Sequence, residues 1–504
     1  MRYESTGGEV SGLTFEQALF TLYASDGGLL MPESVPQLKK LELETLARLS
    51  YLKLCIRIAR YFIDPAEIAT DELSVVLTEA YKTLDLNLQS PRIHQLADSV
   101  SVLEMFHAPT LCFKDYAMCF TTALMNHFLK KRQAKCVSLV ATSGDTGGSA
   151  IRAVESLGSS SRLGLVVLLP VGRVSAYQRV AMTTSQCDRV RVASVTMDSD
   201  QLDDVIRTAT LQRQRRTADG DQCDGTLLCT QNSANWGRVL FQIPAYFYAY
   251  FSATRCIGQQ VQFFVPTGGC GNLTAACLAR AMGLPIATCA ANNQNAAAHQ
   301  LISEGRFLPR PSVCTTSVAM DIANPYNIPR LLSLLAGSRS RAAELSRRFD
   351  SKQPVELTEQ ERAKLANLGV SSFVATDADC QATVVKAHSE LGYLACPHTA
   401  CALLPALEPS SADADKVADS TGANSGANLA PPRVVFATAH PAKFADLYRA
   451  RGLPTAPAET AAEALERLSR LPERCLSWES DSIDDCVAKL HGLIDHLLAQ
   501  SLSA

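Results

Sequence analysis

A lysine next to an apolar helical stretch is the first residue of this sequence that could do covalent chemistry. Lys114 lies between Phe113 and Asp115, and apolar residues at helical spacing follow it. The helix dipole disfavours a cation at a helix start, and lysines in apolar surroundings are the ones that react with carbonyl groups. Most lysines are solvated, so the pattern alone indicates a surface residue more often than a site.

Two glycine-rich loops have the composition of anion-binding sites. Residues 142–148 (Thr-Ser-Gly-Asp-Thr-Gly-Gly) follow an apolar run and precede a helical pattern, where free N–H groups and the helix dipole favour an anion. A plain N-cap and turn is the alternative there. Residues 266–272 (Pro-Thr-Gly-Gly-Cys-Gly-Asn) allow a phosphate to approach the backbone closely. The first loop is not a Walker A loop, because it lacks the Lys-Ser/Thr ending. The second lacks G-x-G-x-x-G spacing, which favours one compact phosphate over a dinucleotide.

Two further polar segments follow apolar runs. In residues 232–238, Asn235 and Arg238 could bind a second anion, while an N-cap and a surface arginine are the alternatives. In residues 437–444 (Ala-Thr-Ala-His-Pro-Ala-Lys-Phe), His440 would more often be structural than catalytic. No H-E-x-x-H or G-x-S-x-G signature competes with these segments.

Strand and helix patterns alternate from about residue 135. This alternation predicts an α/β chain with largely parallel sheets, in which ligands bind at the carboxyl ends of the strands. The polar loops described above lie at such ends. The predicted strands are 136–141, 163–169, 190–197, 227–230, 261–265, 286–290, 373–375 and 434–437.

The first hundred residues have a different pattern. Apolar residues at helical spacing in 16–22 and 41–62, with a tight turn at 26–28, predict a mostly helical accessory domain over 1–100. We expect a catalytic region over 101–504, with a smaller lobe at about 136–250 and a larger lobe at about 101–135 and 251–504. Residues 410–432 are poor in large apolar side chains, which predicts a flexible insertion.

Composition excludes several classes of protein. The chain has 504 residues and a formal net charge of -3, which gives no support for binding to nucleic acid or to an anionic membrane. Its 17 cysteines include no C-x-x-C pair, so a zinc or dithiol site is not expected and no metal is predicted. Scattered thiols, no signal-peptide pattern and no long apolar run favour a cytoplasmic protein.

Taken together and in this order, the segments resemble threonine synthase in its longer bacterial and fungal form. The match runs from Ser11–Phe15 and Asp26–Leu29 to Ala439–Phe444, and it includes Met320–Ile322 and Pro397–Ala400. This resemblance implies the type II fold of pyridoxal 5'-phosphate (PLP) enzymes, similar to tryptophan synthase β, with two α/β lobes and an N-terminal accessory domain. It also implies conversion of O-phospho-L-homoserine and water to L-threonine and phosphate.

The resemblance implies a role for each segment. Lys114 would be the catalytic residue and would bond covalently to PLP. Substrate would be held by residues from three segments, and the oligomeric state stays open between monomer and homodimer. The implied cofactor-binding residues are Lys114, Gly268, Gly269, Cys270, Gly271, Asn272 and Thr438, and the implied substrate-binding residues are Thr142, Ser143, Asp145, Thr146, Asn235, Arg238 and Lys443.

One loop departs from the family pattern. The related loop usually reads Gly-Asn-Phe-Gly, whereas this chain has Gly268-Gly269-Cys270-Gly271. The departure removes an amide and an aromatic ring beside the cofactor, but a cradle of backbone N–H groups would survive.

Three other functions stay open at this point. A related phospho-lyase would release 2-oxobutyrate from the same substrate instead of threonine. A serine or threonine dehydratase would need neither the accessory domain nor the Asn235/Arg238 segment. A non-catalytic relative would not need Lys114 and the anion-binding loops.

Overall fold

The protein is described here by a computed structural model that covers residues 1–85, 89–218, 227–407, 430–450, 452, 466–480 and 482–500. The predicted insertion at 410–432 lies outside the described residues except for its last three positions. No helix of these residues is long and apolar enough to cross a membrane.

The N-terminal region is mostly helical, as predicted, but its helices are shorter. The expected helix at 41–62 is two helices, because residues 47–50 form a turn between them. The second of these buries Leu54, Ile58 and Phe62, which recur at helical spacing. The elements are β1 (Tyr3–Ser5), α1 (Phe15–Phe20), β2 (Leu30–Pro32), α2 (Lys40–Leu46), α3 (Tyr51–Phe62) and α4 (Thr70–Lys82).

The larger sheet has six strands. Their order is β13-β10-β9-β14-β4-β3, and every neighbouring pair is parallel except the β3–β4 hairpin. The strands are β3 (Arg92–Ala97), β4 (Val100–Glu104), β9 (Val261–Pro266), β10 (Ile286–Asn292), β13 (Val370–Val374) and β14 (Arg433–Ala437).

The smaller sheet has five strands, all parallel, in the order β15-β7-β6-β5-β8. Its central strands β5 and β6 are buried along their whole length, as expected for parallel strands covered on both faces. The strands are β5 (Cys136–Ala141), β6 (Leu163–Pro170), β7 (Val190–Val195), β8 (Leu227–Thr230) and β15 (Cys475–Trp478).

Helices and a small two-stranded ribbon complete the described chain. They are α5 (Lys114–Arg132), α6 (Asp145–Glu155), α7 (Ala176–Thr183), α8 (Ser199–Ala218), α9 (Trp236–Leu240), α10 (Ile243–Ala253), α11 (Gly271–Ala281), α12 (Ala297–His299), β11 (Arg306–Phe307), α13 (Ile328–Leu335), α14 (Arg339–Asp350), β12 (Val355–Glu356), α15 (Glu359–Asn367), α16 (Asp377–Leu391), α17 (Pro397–Leu407), α18 (Ala445–Ala450) and α19 (Ile483–Gln500). Short 3-10 turns lie at Val318–Met320 and Pro441–Phe444.

All eight predicted strands are present, but the sheets divide the chain differently from the expected boundaries. Strand β3, expected within the accessory region, is an edge of the larger sheet because it pairs with β4. Strand β15, expected in the larger lobe, pairs with β7 at the edge of the smaller sheet, and α19 packs on α8 beside it.

The N-terminal region shares a continuous core with the helices around both sheets. The rings of Tyr3 and Phe62 both pack on Trp236 at the start of α9, with centroids 5.8 and 5.7 Å apart. Leu38 donates its N–H to the carbonyl of Met282, after α11. The region therefore packs directly behind the loops that follow β8 and β9.

Replacing Gly283 by alanine tests this packing. Gly283 has a φ of +103°, and a Cβ there would lie 2.9 Å from the Leu38 carbonyl oxygen. Gly258 has a similar φ of +108° with nothing within 4 Å of an added Cβ, so Gly258→Ala is the matched control. Both variants carry backbone strain of about 1–3 kcal/mol. We expect Gly283→Ala to lose about 1–3 kcal/mol more in urea unfolding, because the Leu38 backbone must move; equal losses would contradict the packing.

Candidate functional site

The polar loops at the carboxyl ends of β5, β8, β9 and β14 line one cleft. Parallel strands bring their carboxyl ends to the same edge of a sheet, and the cleft lies where such ends from both sheets meet. The lining residues include Phe113, Lys114, Thr142, Ser143, Asp145, Thr146, Ser199, Asp203, Asn232, Ser233, Arg238, Gln242, Gly268, Gly269, Cys270, Gly271, Asn272, Tyr326, His398 and Thr438.

Lys114 is the first residue of α5, and its side chain lies in the cleft with 17% of its surface exposed. The Phe113 N–H donates to the Thr438 carbonyl at 2.8 Å, which brings the loop after β14 beside this lysine. The Asp115 carboxylate is engaged elsewhere, because the N–H and hydroxyl of Thr110 donate to it at 2.7 and 2.6 Å. Lys114 instead faces Asp145, whose Oδ2 lies 3.6 Å from Nζ.

Asp145 is a buried carboxylate held by two lysines. Its Oδ1 accepts from Lys443 Nζ at 2.6 Å and from Gln178 Nε2 at 2.8 Å, and its Oδ2 faces Lys114. Burial opposes its ionisation, but the ammonium groups of Lys443 and Lys114 outweigh burial and hold the pKa of Asp145 well below its ordinary value. Asp145 is therefore a permanent negative charge beside Lys114.

Lys443 does not line the cleft. It is 3% exposed, and its ammonium group donates to Asp145 and to the Thr110 carbonyl, at 2.9 Å. Two of its three N–H donors are thus used within the protein, which makes Lys443 a counter-ion of Asp145, and its contact with substrate stays a prediction.

The loop after β9 presents its backbone to the cleft. No backbone carbonyl of the described residues accepts from the N–H groups of Gly268, Gly269 or Cys270. Cys270 adopts a left-handed conformation with a φ of 61°, which starts α11. A Cβ at Gly268 would lie 2.9 Å from Met320 Cα, and one at Gly271 would lie 2.8 Å from Ser233 Oγ. The loop is a close-packed cradle with N–H donors available for a phosphate.

Two buried donors in the cleft wall have no partner. Asn272 is 7% exposed, and its Oδ1 accepts from the Tyr246 hydroxyl, while its Nδ2 has no acceptor among the described residues. Arg238 is 2% exposed, donates through Nη1 to the Gln231 carbonyl, and likewise leaves Nε unpaired within the described chain. Burial lowers the pKa of Arg238 to about 10. Unpaired buried donors are rare, and these two fit an anion in the cleft.

Asn235 has a structural role. Its Oδ1 caps α9 by accepting from the Gly237 N–H at 2.9 Å, and its Nδ2 donates to the carbonyls of Leu19 and Thr230 at 2.7 and 3.0 Å. Because Asn235 is fully buried and each of its side-chain polar atoms has a protein partner, the structure gives no support to the predicted substrate contact. The N-cap alternative describes it correctly.

The loop after β5 forms the wall opposite the glycine cradle. The Thr142 hydroxyl accepts from the N–H groups of Gly144 and Gly147, each at 3.0 Å, and so shapes the turn. Ser143 and Thr146 are partly exposed in the cleft. No backbone carbonyl of the described part of the chain accepts from their N–H groups, so the start of α6 can bind an anion.

Two histidines differ in their placement. His398 lines the cleft and was assigned no role from the sequence, although Pro397–Ala400 marked its position. Its Nε2 accepts from the Ala319 N–H at 3.0 Å, and burial lowers its pKa to about 4, so it is neutral. His440 instead accepts from the Ala442 N–H at 3.2 Å and caps the 3-10 turn at Pro441–Phe444, which is a structural role.

Comparisons with known proteins identify the family of this chain. A family model described as "Threonine synthase N terminus" matches residues 2–81. "Threonine synthase-like 2" of Xenopus laevis is 40% identical over 405 residues, which are 80% of this chain and 83% of that protein. "Threonine synthase" of Pseudomonas aeruginosa is 33% identical over 479 residues, covering 94% and 95%. The chain belongs to the threonine synthase family.

A solved structure of this family has the same fold. The PLP-bound threonine synthase from Brucella melitensis superposes with a TM-score of 0.82 at 30% identity, covering 99% of each chain. The expected fold class, an α/β type II PLP-enzyme fold, is confirmed.

The pairing of Lys443 with Asp145 gives this threonine synthase relative a testable stability signature. Lys443→Met leaves a buried carboxylate with one ammonium group at 3.6 Å, and losing one partner of a buried pair costs about 3–5 kcal/mol. A carboxyl group with a depressed pKa contributes stability above its unfolded pKa of about 4 and loses it as the pH falls through the folded pKa. The wild type should therefore keep this contribution below pH 4.

In Lys443→Met the penalty should shrink as the pH falls, because a protonated Asp145 needs no counter-ion. Urea unfolding between pH 4 and pH 8 measures it. The control is Lys489→Met, which removes the exposed pair with Asp485 and should behave as the wild type. A penalty that does not depend on pH would contradict the role of Lys443 as counter-ion.

Proposed function

We propose that this protein is a PLP-dependent threonine synthase, which converts O-phospho-L-homoserine and water to L-threonine and phosphate. Its relatives named threonine synthase are lyases of this kind, and the chain is an enzyme of that class. The carrying observation is that Lys114 shares one cleft with a glycine cradle and with two buried donors, Arg238 Nε and Asn272 Nδ2, that have no acceptor among the described residues.

The residues present fit PLP. Within the described chain, the N–H groups of Gly268, Gly269, Cys270 and Gly271 have no backbone acceptor, and the Asn272 Nδ2 beside them has no acceptor either. Lys114 would hold the cofactor covalently. Thr438 is 6% exposed in the cleft, and we assign its hydroxyl to the pyridine nitrogen. PLP, when bound, acidifies the α-carbon of an amino acid by taking up its electrons.

The protein's own residues then direct the reaction. The Lys114 amine, released when substrate binds, is placed to move protons at the α and β carbons. Asp145, which stays ionised, holds that amine in place between these transfers. Thr438 carries no charge, whereas a carboxylate at this position would keep the pyridine nitrogen protonated. With Thr438 there, the ring would withdraw electrons less strongly. The Thr438 hydroxyl is therefore an orienting contact.

The substrate has two anionic groups, and the cleft has matching positions. We assign the carboxylate to the start of α6, where the Ser143 and Thr146 N–H groups and side chains face the cleft beside Thr142. We assign the phosphate to Arg238, whose guanidinium group is buried and has no carboxylate partner among the described residues. When the phosphate leaves the substrate it gains negative charge, and the positive charge of Arg238 would stabilise it.

A phospho-lyase reaction that ends in 2-oxobutyrate is the second candidate. It shares every step up to release of phosphate, and differs only in whether water adds at the β carbon. Among the relatives above, the protein named threonine synthase-like 2 is more similar at 40% identity than the one named threonine synthase at 33%. This difference in identity is the reason for testing the phospho-lyase reaction as well.

Product analysis decides between the two reactions. We expect incubation with O-phospho-L-homoserine to release phosphate and threonine in equal amounts, with Lys114→Ala inactive. Chromatography of the amino acids and a 2-oxo acid assay measure the products. Phosphate with 2-oxobutyrate would favour the phospho-lyase, and no phosphate release would contradict both candidates.

The cradle predicts unequal effects of two neighbouring glycines. Gly271→Ala places a Cβ 2.8 Å from Ser233 and should weaken PLP binding about tenfold, because shifting a packed loop costs about 1–3 kcal/mol. Gly269→Ala is the control, since its nearest neighbours would lie 3.6 Å away and related loops carry a side chain there. Absorbance titration with PLP measures both affinities. Equal affinities would contradict the assigned cradle.

We also propose a cytoplasmic location. The structure shows no disulfide bond among the described cysteines, which suits a reducing compartment.

A further inference from the structure

Arg330, near the start of α13, is a second buried guanidinium group beside the cleft. It is fully buried, and burial lowers its pKa to about 9. None of its hydrogen-bond acceptors is a carboxylate, and no ion pair within the described chain compensates it. Buried cations are normally paired, and the described residues supply no counter-ion for this charge.

The contacts of Arg330 connect three separate segments. Its Nε donates to the Leu30 carbonyl in β2 at 3.1 Å, and its Nη1 donates to the Ser233 carbonyl at 2.8 Å. Nη2 donates to the Ala234 carbonyl, and Nη1 also reaches Asn327 Oδ1. The guanidinium group thus joins the N-terminal region to the loop that precedes Arg238.

Asn327 extends this connection to the glycine cradle. It is fully buried, and its Nδ2 donates to the Gly269 carbonyl and to Ser233 Oγ, each at 2.9 Å. In a trans peptide the carbonyl and the following N–H point in opposite directions. Holding the Gly269 carbonyl toward Asn327 therefore turns the Cys270 N–H away from Asn327, which is the orientation the cradle needs.

We infer that Arg330 is a positioning residue for the cofactor phosphate. It acts in two ways: it holds Asn327 against the Gly268–Asn272 loop, and it places a buried positive charge behind that loop. This inference rests on the proposed function, because it takes the anion in the cradle to be the phosphate of PLP. The phosphate supplies the counter-charge that Arg330 lacks, and the N-terminal region takes part through the Leu30 carbonyl.

Comparing PLP with pyridoxal, which lacks the phosphate, separates this role from a purely structural one. Both compounds are titrated into cofactor-free protein and followed by absorbance. Arg330→Met should lose about tenfold or more in PLP affinity and less than about twofold in pyridoxal affinity, because only PLP carries the phosphate that the buried charge stabilises. Arg330→Lys keeps the positive charge and should lose less PLP affinity than Arg330→Met.

The matched control is Arg189→Met. Arg189 is also buried, at 7% exposure, and donates to the Val154 carbonyl, but it lies outside the cleft lining. Its replacement should leave the ratio of the two affinities unchanged. Asn327→Ser covers the case in which Arg330→Met does not fold, because it breaks the link to Gly269 and leaves the charge in place. It should lower the PLP-to-pyridoxal ratio at least threefold.

Equal losses of PLP and pyridoxal affinity in the folded variants would overturn the inference, and so would an unchanged ratio. Failure of the proposed function would look different. In that case the wild type itself would bind PLP no better than pyridoxal, or neither compound at all.

Discussion

The ionised state of Asp145 is the interaction on which the geometry of the cleft depends. Its carboxylate comes from the loop after β5 in one sheet, Lys443 comes from the loop after β14 in the other, and Lys114 starts α5 between them. Charges this deeply buried are stable only with partners, so Asp145 and Lys443 require each other, and Lys114 adds a second, partly exposed ammonium group. The ion pair therefore holds the two carboxyl edges in one arrangement.

The cationic groups near this pair have few carboxylate partners among the described residues. Lys114 and Lys443 share one carboxylate, and Arg238 and Arg330 hydrogen-bond only to uncharged groups of the described chain. A buried cation without a bonded carboxylate is unfavourable, and phosphate groups in the cleft would stabilise these cations. We propose that a cofactor phosphate and a substrate phosphate are the two anions that bind there. The charges that the fold buries would then be the ones that the reaction uses.

Local sequence was enough to predict the strands and the loops that line the cleft, because a glycine-rich turn between a strand and a helix has a short-range signature. Local sequence was not enough to predict the role of single polar residues. Asn235 is the same residue type whether it faces a ligand or the Leu19 carbonyl, 216 positions away in the chain. The sequence around Lys443 likewise did not indicate that its ammonium group pairs with Asp145. Arg330, with its apolar neighbours, went unnoticed because its partners are backbone carbonyls, and β15 was missed because a four-residue edge strand has little pattern.

The identity of the lysine that carries the cofactor is the central claim, and it can be read directly. Holoprotein reduced with borohydride and digested with trypsin should show a phosphopyridoxyl group on the peptide that contains Lys114, and on no other peptide in stoichiometric amount. Modification of a different lysine, or of none in protein that has taken up PLP, would contradict the account.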